Sequence, residues 1–182
     1  EPRLMAKFDH EVNLPKIFND NELSLLPITR GDYIISNFAT YQRLEEIIGT
    51  PERRNLPDHI QSLDPDNITS ETVAVNVAVA SGMLNDFLEE EELIASVSGR
   101  MGSGEFGFNI LNKKDLKLEV SVKNSQIEID AAYEGIGSLA IIEPKKDISD
   151  DFLIRQLYYP FRTWFGRITK KVRPVFFVYT NG

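Results

Sequence analysis

Two stretches in the second half of the chain carry the clearest pattern of apolar and polar positions. Residues 126–132 (QIEIDAA) alternate, as a half-buried strand does, and residues 139–144 (LAIIEP) form an apolar run that closes on an acid and a proline. Gly135-Ile136-Gly137 lies between them as a turn. Centring the pairing between Ile136 and Gly137 sets Asp130 opposite Glu143 and Glu128 opposite Lys145. Side chains directly opposed across such a pair have Cβ atoms about 4.5–5.5 Å apart. Because side chains alternate along a strand, Glu143 and Lys145 share a face. Leu139, Ile141 and Ile142 place apolar residues on both faces, the mark of a central strand covered on two sides.

Elsewhere the pattern gives an alternation of strands and helices. Residues 27–38 suggest a strand interrupted by a turn at Thr29-Arg30-Gly31-Asp32. Residues 41–48 read as a short helix closed by Gly49 and Pro51. Residues 51–68, rich in Pro, Asp and Asn, read as a linker. Ser70 can cap a long helix over 71–94, with Glu71 in its first turn and Gly82 interrupting it. The run Glu89–Glu92 falls at its exposed end. Glycines crowd residues 98–108 and mark tight turns. Ser149, Asp150 and Asp151 open a helix over 150–165, kinked or ended at Pro160. Residues 175–180 then add a strand, which a right-handed crossover makes parallel to 139–144. The expected fold is α/β, a mixed sheet whose hairpin carries the acids, flanked by helices 71–94 and 150–165. The expected organisation is an N-terminal segment over 1–65 and a core over 66–182.

Composition narrows the setting. In 182 residues, 42% are hydrophobic, enough for a sizeable core, and no apolar run reaches membrane-spanning length. No signal-peptide h-region opens the chain. There is no cysteine, which excludes disulfides and thiolate metal sites and fits a reducing, cytoplasmic setting. The two histidines, His10 and His59, read as loop residues, which argues against zinc hydrolase chemistry. No phosphate-cradling GxxxxGK[ST] loop is present, so no nucleotide cofactor is expected. The chain starts without Met and stops soon after a strand, as a fragment of a longer enzyme would.

The net charge of −8 weighs against nucleic acid as a partner, but it is unevenly placed. From Lys145 onward, Lys145, Lys146, Arg155, Arg162, Arg167, Lys170, Lys171 and Arg173 face only Asp147, Asp150 and Asp151, a local +5. That is either a face for phosphates, with Lys146 and Arg155 beside the acids, or a solvated turn before a strand.

Two acids and an ammonium converging on one spot suit phosphodiester hydrolysis. Mg²⁺ takes oxygen ligands and keeps several waters, so one or two carboxylates hold it, and Mn²⁺ can substitute. A bound cation polarises a phosphoryl oxygen and lowers the pKa of its water. A lysine beside it can orient that water or stabilise developing charge. The spacing alone is weak, since about one or two acid-x-Lys triplets arise by chance at this composition. A second one, Asp115-Leu116-Lys117, lies in a polar stretch without an acid on a partner strand. The alternative for Asp130, Glu143 and Lys145 is a cross-strand ion-pair cluster on a solvated face. Glu71 reads either as a first-turn acid or as a third metal ligand.

The segment QIEIDAAYEG…LAIIEPKKDISDDFLIRQLYYPFRTW resembles the catalytic core of PD-(D/E)XK nucleases, specifically bacterial type II restriction endonucleases. The resemblance is strongest over 126–164 and weaker over 25–38, 81–88, 99–108 and 174–180. It implies Asp130 and Glu143 as metal-binding acids; independently of it, Pro144 has no N–H for the ladder, and its carbonyl stays available as a further metal ligand. It implies Lys145 as the catalytic lysine and Gln156 as the glutamine some branches carry on the following helix. Ile129 stands where the leading proline is usual. The resemblance further implies double-stranded DNA as substrate, a homodimer, and Arg100 and Ser103 in stretches that border the DNA. A repair or recombination nuclease on the same core, and a non-catalytic DNA-binding or assembly module, are the alternatives.

Overall fold

In the computed structural model, residues 6–45, 48–146 and 149–180 are described. The chain is mixed α/β and separates into two compact units that interleave in sequence. One gathers residues 1–45, 100–128 and 149–166; the other gathers 46–99, 129–148 and 167–182. The boundary expected at residue 65 falls inside the second unit, because strand pairing collects segments far apart in the chain.

The first unit is built from short two-stranded sheets. After a one-turn helix α1 (Lys16–Asp20), β1 (Ser24–Pro27) and β2 (Tyr33–Ser36) form a hairpin: the single strand expected over 27–38 is confined to 33–36, its expected turn is the hairpin turn, and its partner strand lies before residue 28. The Thr29 hydroxyl accepts from the Gly31 and Asp32 N–H groups and donates to the Asp32 carboxylate, which makes that turn. The helix expected over 41–48 does not form at its start: β3 (Tyr41–Arg43) is a strand. Residues 46–47 lie outside the described residues. The strand β5 (Gly99–Gly102) pairs with β8 (Gln126–Ile129), and β6 (Glu105–Leu111) pairs antiparallel with β7 (Lys117–Lys123). The glycines at 99, 102, 104 and 107 thus serve β5, the turn and β6.

The helix expected from 150 begins later. β11 (Asp151–Leu153) pairs with β3, and the helix α4 runs from Arg155 to Trp164 with Pro160 inside it. Asp151 is held in the strand because its carboxylate accepts from the Glu11 N–H at 3.2 Å and lies 3.2 Å from His10 Nδ1. His10 is therefore a half-buried packing residue here, while His59 is exposed. Pro160 is fully buried inside α4, where it has no N–H to donate to the Gln156 carbonyl.

The second unit holds the larger sheet. Helix α2 (Glu71–Ala80) starts at Ser70, whose hydroxyl accepts from the Val73 N–H at 3.2 Å. Gly82, at φ +73°, breaks the helix expected to 94, and α3 (Met83–Leu88) follows. Residues 94–95 are instead a short strand, β4 (Ile94–Ala95). Four strands lie in the order β12 (Lys171–Tyr179), β10 (Ser138–Lys146), β9 (Ala131–Glu134), β4. β12 is parallel to β10, as the crossover reading expects; β9 is antiparallel to β10 and to β4. Pro174 is tolerated in β12 because that strand is at the edge. The central strand β10 is buried from Ser138 to Pro144. Ala140 and Ile142 pack with Val75, Leu84, Leu88 and Val175. Each fully buried Leu or Ile contributes roughly 1.5–3 kcal/mol.

Residues 51–68 contain no helix or strand. They are not a free tether, since Arg54 lies 2.6 Å from the Asp86 carboxylate on α3.

Candidate active site

The hairpin forms in the expected register. β9 and β10 pair Glu134 with Leu139, Tyr133 with Ala140, Ala132 with Ile141 and Ala131 with Ile142. One further step along the same register sets Asp130 against Glu143. The ladder itself stops short of that step, because Asp130 is a bend: the strand expected over 126–132 divides there into β8 and β9. Glu128 consequently belongs to a different sheet and does not face Lys145; it pairs with Arg100 at 3.1 Å.

The turn that sets this register is held from two sides. The Gly135 N–H donates to the Ser138 carbonyl at 2.9 Å and closes it. The Glu90 carboxylate accepts from the Gly137 N–H and, at 2.7 Å, from the Ser138 hydroxyl. Those bonds, the Ser138 hydroxyl foremost, lower the Glu90 pKa from its ordinary value. Lys170 donates to the Glu134 carboxylate at 2.7 Å and to the Gly135 carbonyl at 2.8 Å. Glu90, expected only as part of an exposed acidic run, is thus the residue whose role the sequence pattern hides.

At the far end of β10 the chemistry converges. Glu143 is only 5% exposed, and the Lys145 ammonium lies 2.5 Å from its carboxyl. Burial pushes the Glu143 pKa up to about 7; Lys145 opposes this, and the charge and hydrogen bond of Asp130 add to it. Burial alone would depress the Lys145 pKa, yet the charges of Glu143, Glu71 and Asp130 outweigh it and leave the group raised. The result is a lysinium held against a buried glutamate whose acidity is weakened, with Asp130 beside it.

A cavity of about 240 Å³ opens beside this cluster, lined among others by Glu71, Asn76, Ser96, Asp130, Tyr133 and Pro144. Glu71 reaches it from the first turn of α2, so its capping place and its place beside the acids are compatible. No three His, Asp or Glu side chains among the described residues form a ready cage for a metal ion. The donor set still fits a hard divalent cation in kind. The Asp130 and Glu143 carboxyl groups offer oxygen ligands on neighbouring positions of the hairpin, and such an ion needs only one or two of them. Pro144 is buried at this end, beyond the last β9–β10 pair.

The remaining candidates fall on several elements. Lys146 is exposed at the end of β10. Gln156 and Arg155 lie in the first turn of α4, in the first unit, whereas the acids belong to the second. The Arg155 guanidinium sits 5.9 Å from the centre of the Tyr159 ring. Arg100 is engaged by Glu128. Ser103 is 2% exposed and its hydroxyl donates to the Gly104 carbonyl at 2.9 Å, so that side chain is committed to the turn and not presented to a ligand. Of the basic run 170–173, Lys170 holds the hairpin and Arg173 donates to the Leu88 carbonyl at 2.6 Å. Those two cations are spent on the fold.

Fold and site together define a mixed α/β protein with an acid–lysine cluster at the end of a buried central strand. The chain belongs to the family described as domain of unknown function DUF6997, whose model matches residues 36–182. A second domain of unknown function, DUF6996, matches residues 1–35. No curated protein and no solved structure matches the chain.

Proposed function

We propose that this protein is a divalent-metal-dependent DNA endonuclease of the restriction type, acting through Asp130, Glu143 and Lys145. One observation carries the reading: the β9–β10 register brings Asp130 to Glu143, with Lys145 touching Glu143, at the end of a strand buried on both faces. Charges so placed are costly unless partnered. The order helix, strand, hairpin, helix, parallel strand supports the PD-(D/E)XK reading, as that resemblance implies a mixed sheet with the acids on its hairpin.

In this reading Asp130 and Glu143 hold Mg²⁺ or Mn²⁺, with the Pro144 carbonyl and Glu71 as further oxygen donors. The cation, when bound, supplies charge for the phosphoryl oxygen and acidity for its water. Lys145 holds the attacking water or the developing negative charge. Burial of Glu143 keeps bulk water from screening that end of the strand.

The test is incubation with unmethylated plasmid and genomic DNA plus Mg²⁺. Discrete bands support a sequence-specific restriction enzyme. A smear, or cutting confined to damaged or branched substrates, supports a repair or recombination nuclease on the same core. Absence of cleavage, together with absence of Mn²⁺ binding at Asp130 and Glu143, overturns the enzymatic reading. The non-catalytic alternative draws on the Lys145–Glu143 contact itself, which a purely structural ion pair would also make.

A further inference from the structure

We propose that α4 carries a docking surface for single-stranded nucleic acid, a stacking platform of aromatic rings with an arginine laid against it. The helix presents Tyr158, Phe161 and Phe165 at spacings of three and four, which places them along one face. Their rings form a ladder: Tyr158 to Phe161 at 6.3 Å and Phe161 to Phe165 at 5.2 Å, each pair tilted by 33°. The ladder ends on Phe165, which is 63% exposed at the C-cap. A ring that continues a stack and shows a free face to water is a place where an unpaired base can extend it.

Charge selects the occupant. The Arg162 guanidinium lies 5.3 Å from the centre of the Phe106 ring and 5.9 Å from that of Tyr158, and it donates to the Tyr158 hydroxyl at 3.1 Å. It makes no ion pair with a carboxylate among the described residues. That geometry fixes a planar cation against the ladder with further N–H donors for a phosphate. Between Asp151 and the end of the first unit at residue 166 the sequence holds no Asp or Glu, so the charges on the helix are those of Arg155 and Arg162 alone. Glu105 and Phe106 are successive positions of β6 and so point to opposite faces. An apolar surface would leave the arginine without a counter-charge, and a bare carboxylate would leave the exposed Phe165 ring uncovered. A strand with exposed bases and a phosphate backbone uses both parts.

The surface lies wholly in the first unit, and its binding does not depend on the hydrolytic reading. The experiment is fluorescence anisotropy of a labelled oligo-dT and of a blunt mixed-sequence duplex, in EDTA so that nothing is cut. Wild-type protein, Phe165→Ala, Arg162→Ala and Arg162→Lys are compared, with melting curves as a check on folding. Oligo-dT is expected to bind more tightly than the duplex, with affinity falling as salt rises. Phe165→Ala is expected to weaken binding about five- to 150-fold, the loss of one base stack of roughly 1–3 kcal/mol. Arg162→Lys keeps the charge but not the plane and should fall between wild type and Arg162→Ala. Failure of the wild type to bind oligo-dT at low salt overturns the proposal. So does unchanged affinity in folded Phe165→Ala and Arg162→Ala. A shift from dimer to monomer in Phe165→Ala with unchanged oligo-dT binding overturns it in favour of a self-association face. If oligo-dT binds here but no DNA is ever cut, the platform stands and the hydrolytic reading falls.

Discussion

The chain contains the same triplet, acid-x-lysine, in two places, and the two could hardly be treated more differently. Asp115-Leu116-Lys117 sits where β6 turns into β7, with Asp115 at φ +59° and Leu116 62% exposed. The Asn112 side chain accepts from the Lys114 and Leu116 N–H groups, so the turn is made by backbone geometry and water solvates the charges. Glu143-Pro144-Lys145 ends a buried strand paired on both sides, and its acid is nearly inaccessible. Identical spacing therefore means nothing until a strand partner brings a second acid and burial removes the water. Asp130 provides the first and the neighbours of β10 the second.

The comparison breaks first at Asp130. Asp130→Asn is expected to abolish cleavage while DNA binding holds or strengthens, because a lost negative charge weakens metal capture yet eases the approach of phosphate. Full activity at ordinary Mg²⁺ in that variant would move the metal site elsewhere. Next comes Lys145→Ala. A surface salt bridge contributes only about 0–1 kcal/mol, whereas loss of a preorganised electrostatic group costs on the order of 10²-fold or more in rate. Single-turnover cleavage at saturating Mg²⁺ distinguishes them, with the exposed Lys146→Ala as the internal control. Equal rates for wild type and Lys145→Ala would remove the lysine from the mechanism.

A smaller effect is expected at the hairpin turn. The Glu90 pKa is lowered in the folded chain, so its contribution is present above the unfolded carboxylate range, near 4.3. It is lost as pH falls through the lower folded value. The melting temperature of Glu90→Gln should lie below that of the wild type at neutral pH, and the gap should close in acid. A gap that persists unchanged in acid would mean the carboxylate charge is not what holds the turn. The smallest effect belongs to the other triplet. Asp115→Asn and Lys117→Ala should leave cleavage and binding as they are, measured in the same assays; a tenfold loss in either would show that the exposed turn also takes part.

How much of this was legible depended on whether the determining contacts were local. The register of β9 and β10 could be read because a glycine turn and a period-two pattern specify it between them. The bend at Asp130 could not, since alternation runs unbroken through QIEIDAA and the division arises from two partner sheets. Strands β3 and β11 are three residues each, too short to show a period. Asp150 and Asp151 mimic a helix start, but Asp151 is drawn into a strand by His10 and the Glu11 amide, well over a hundred residues away in the chain. Gly82 and the cap at Ser70 are local features and were legible. Glu90 was not, because nothing in an acidic run reveals that one carboxylate will find a glycine amide. The place of Gln156 in the other compact unit was equally hidden, for interleaving is decided by pairing and not by composition.

That interleaving also sets an order of events on the ribosome. The unit that contains α4 has all its segments once residue 166 has emerged, but the sheet that bears the acids still lacks β12. Until residues 171–179 arrive, β10 is an apolar strand with one bare edge, open to pairing with any other extended segment nearby. The stretch that follows α4 is thus the one that shields this apolar strand, and truncations after α4 should yield insoluble chains before they yield inactive ones.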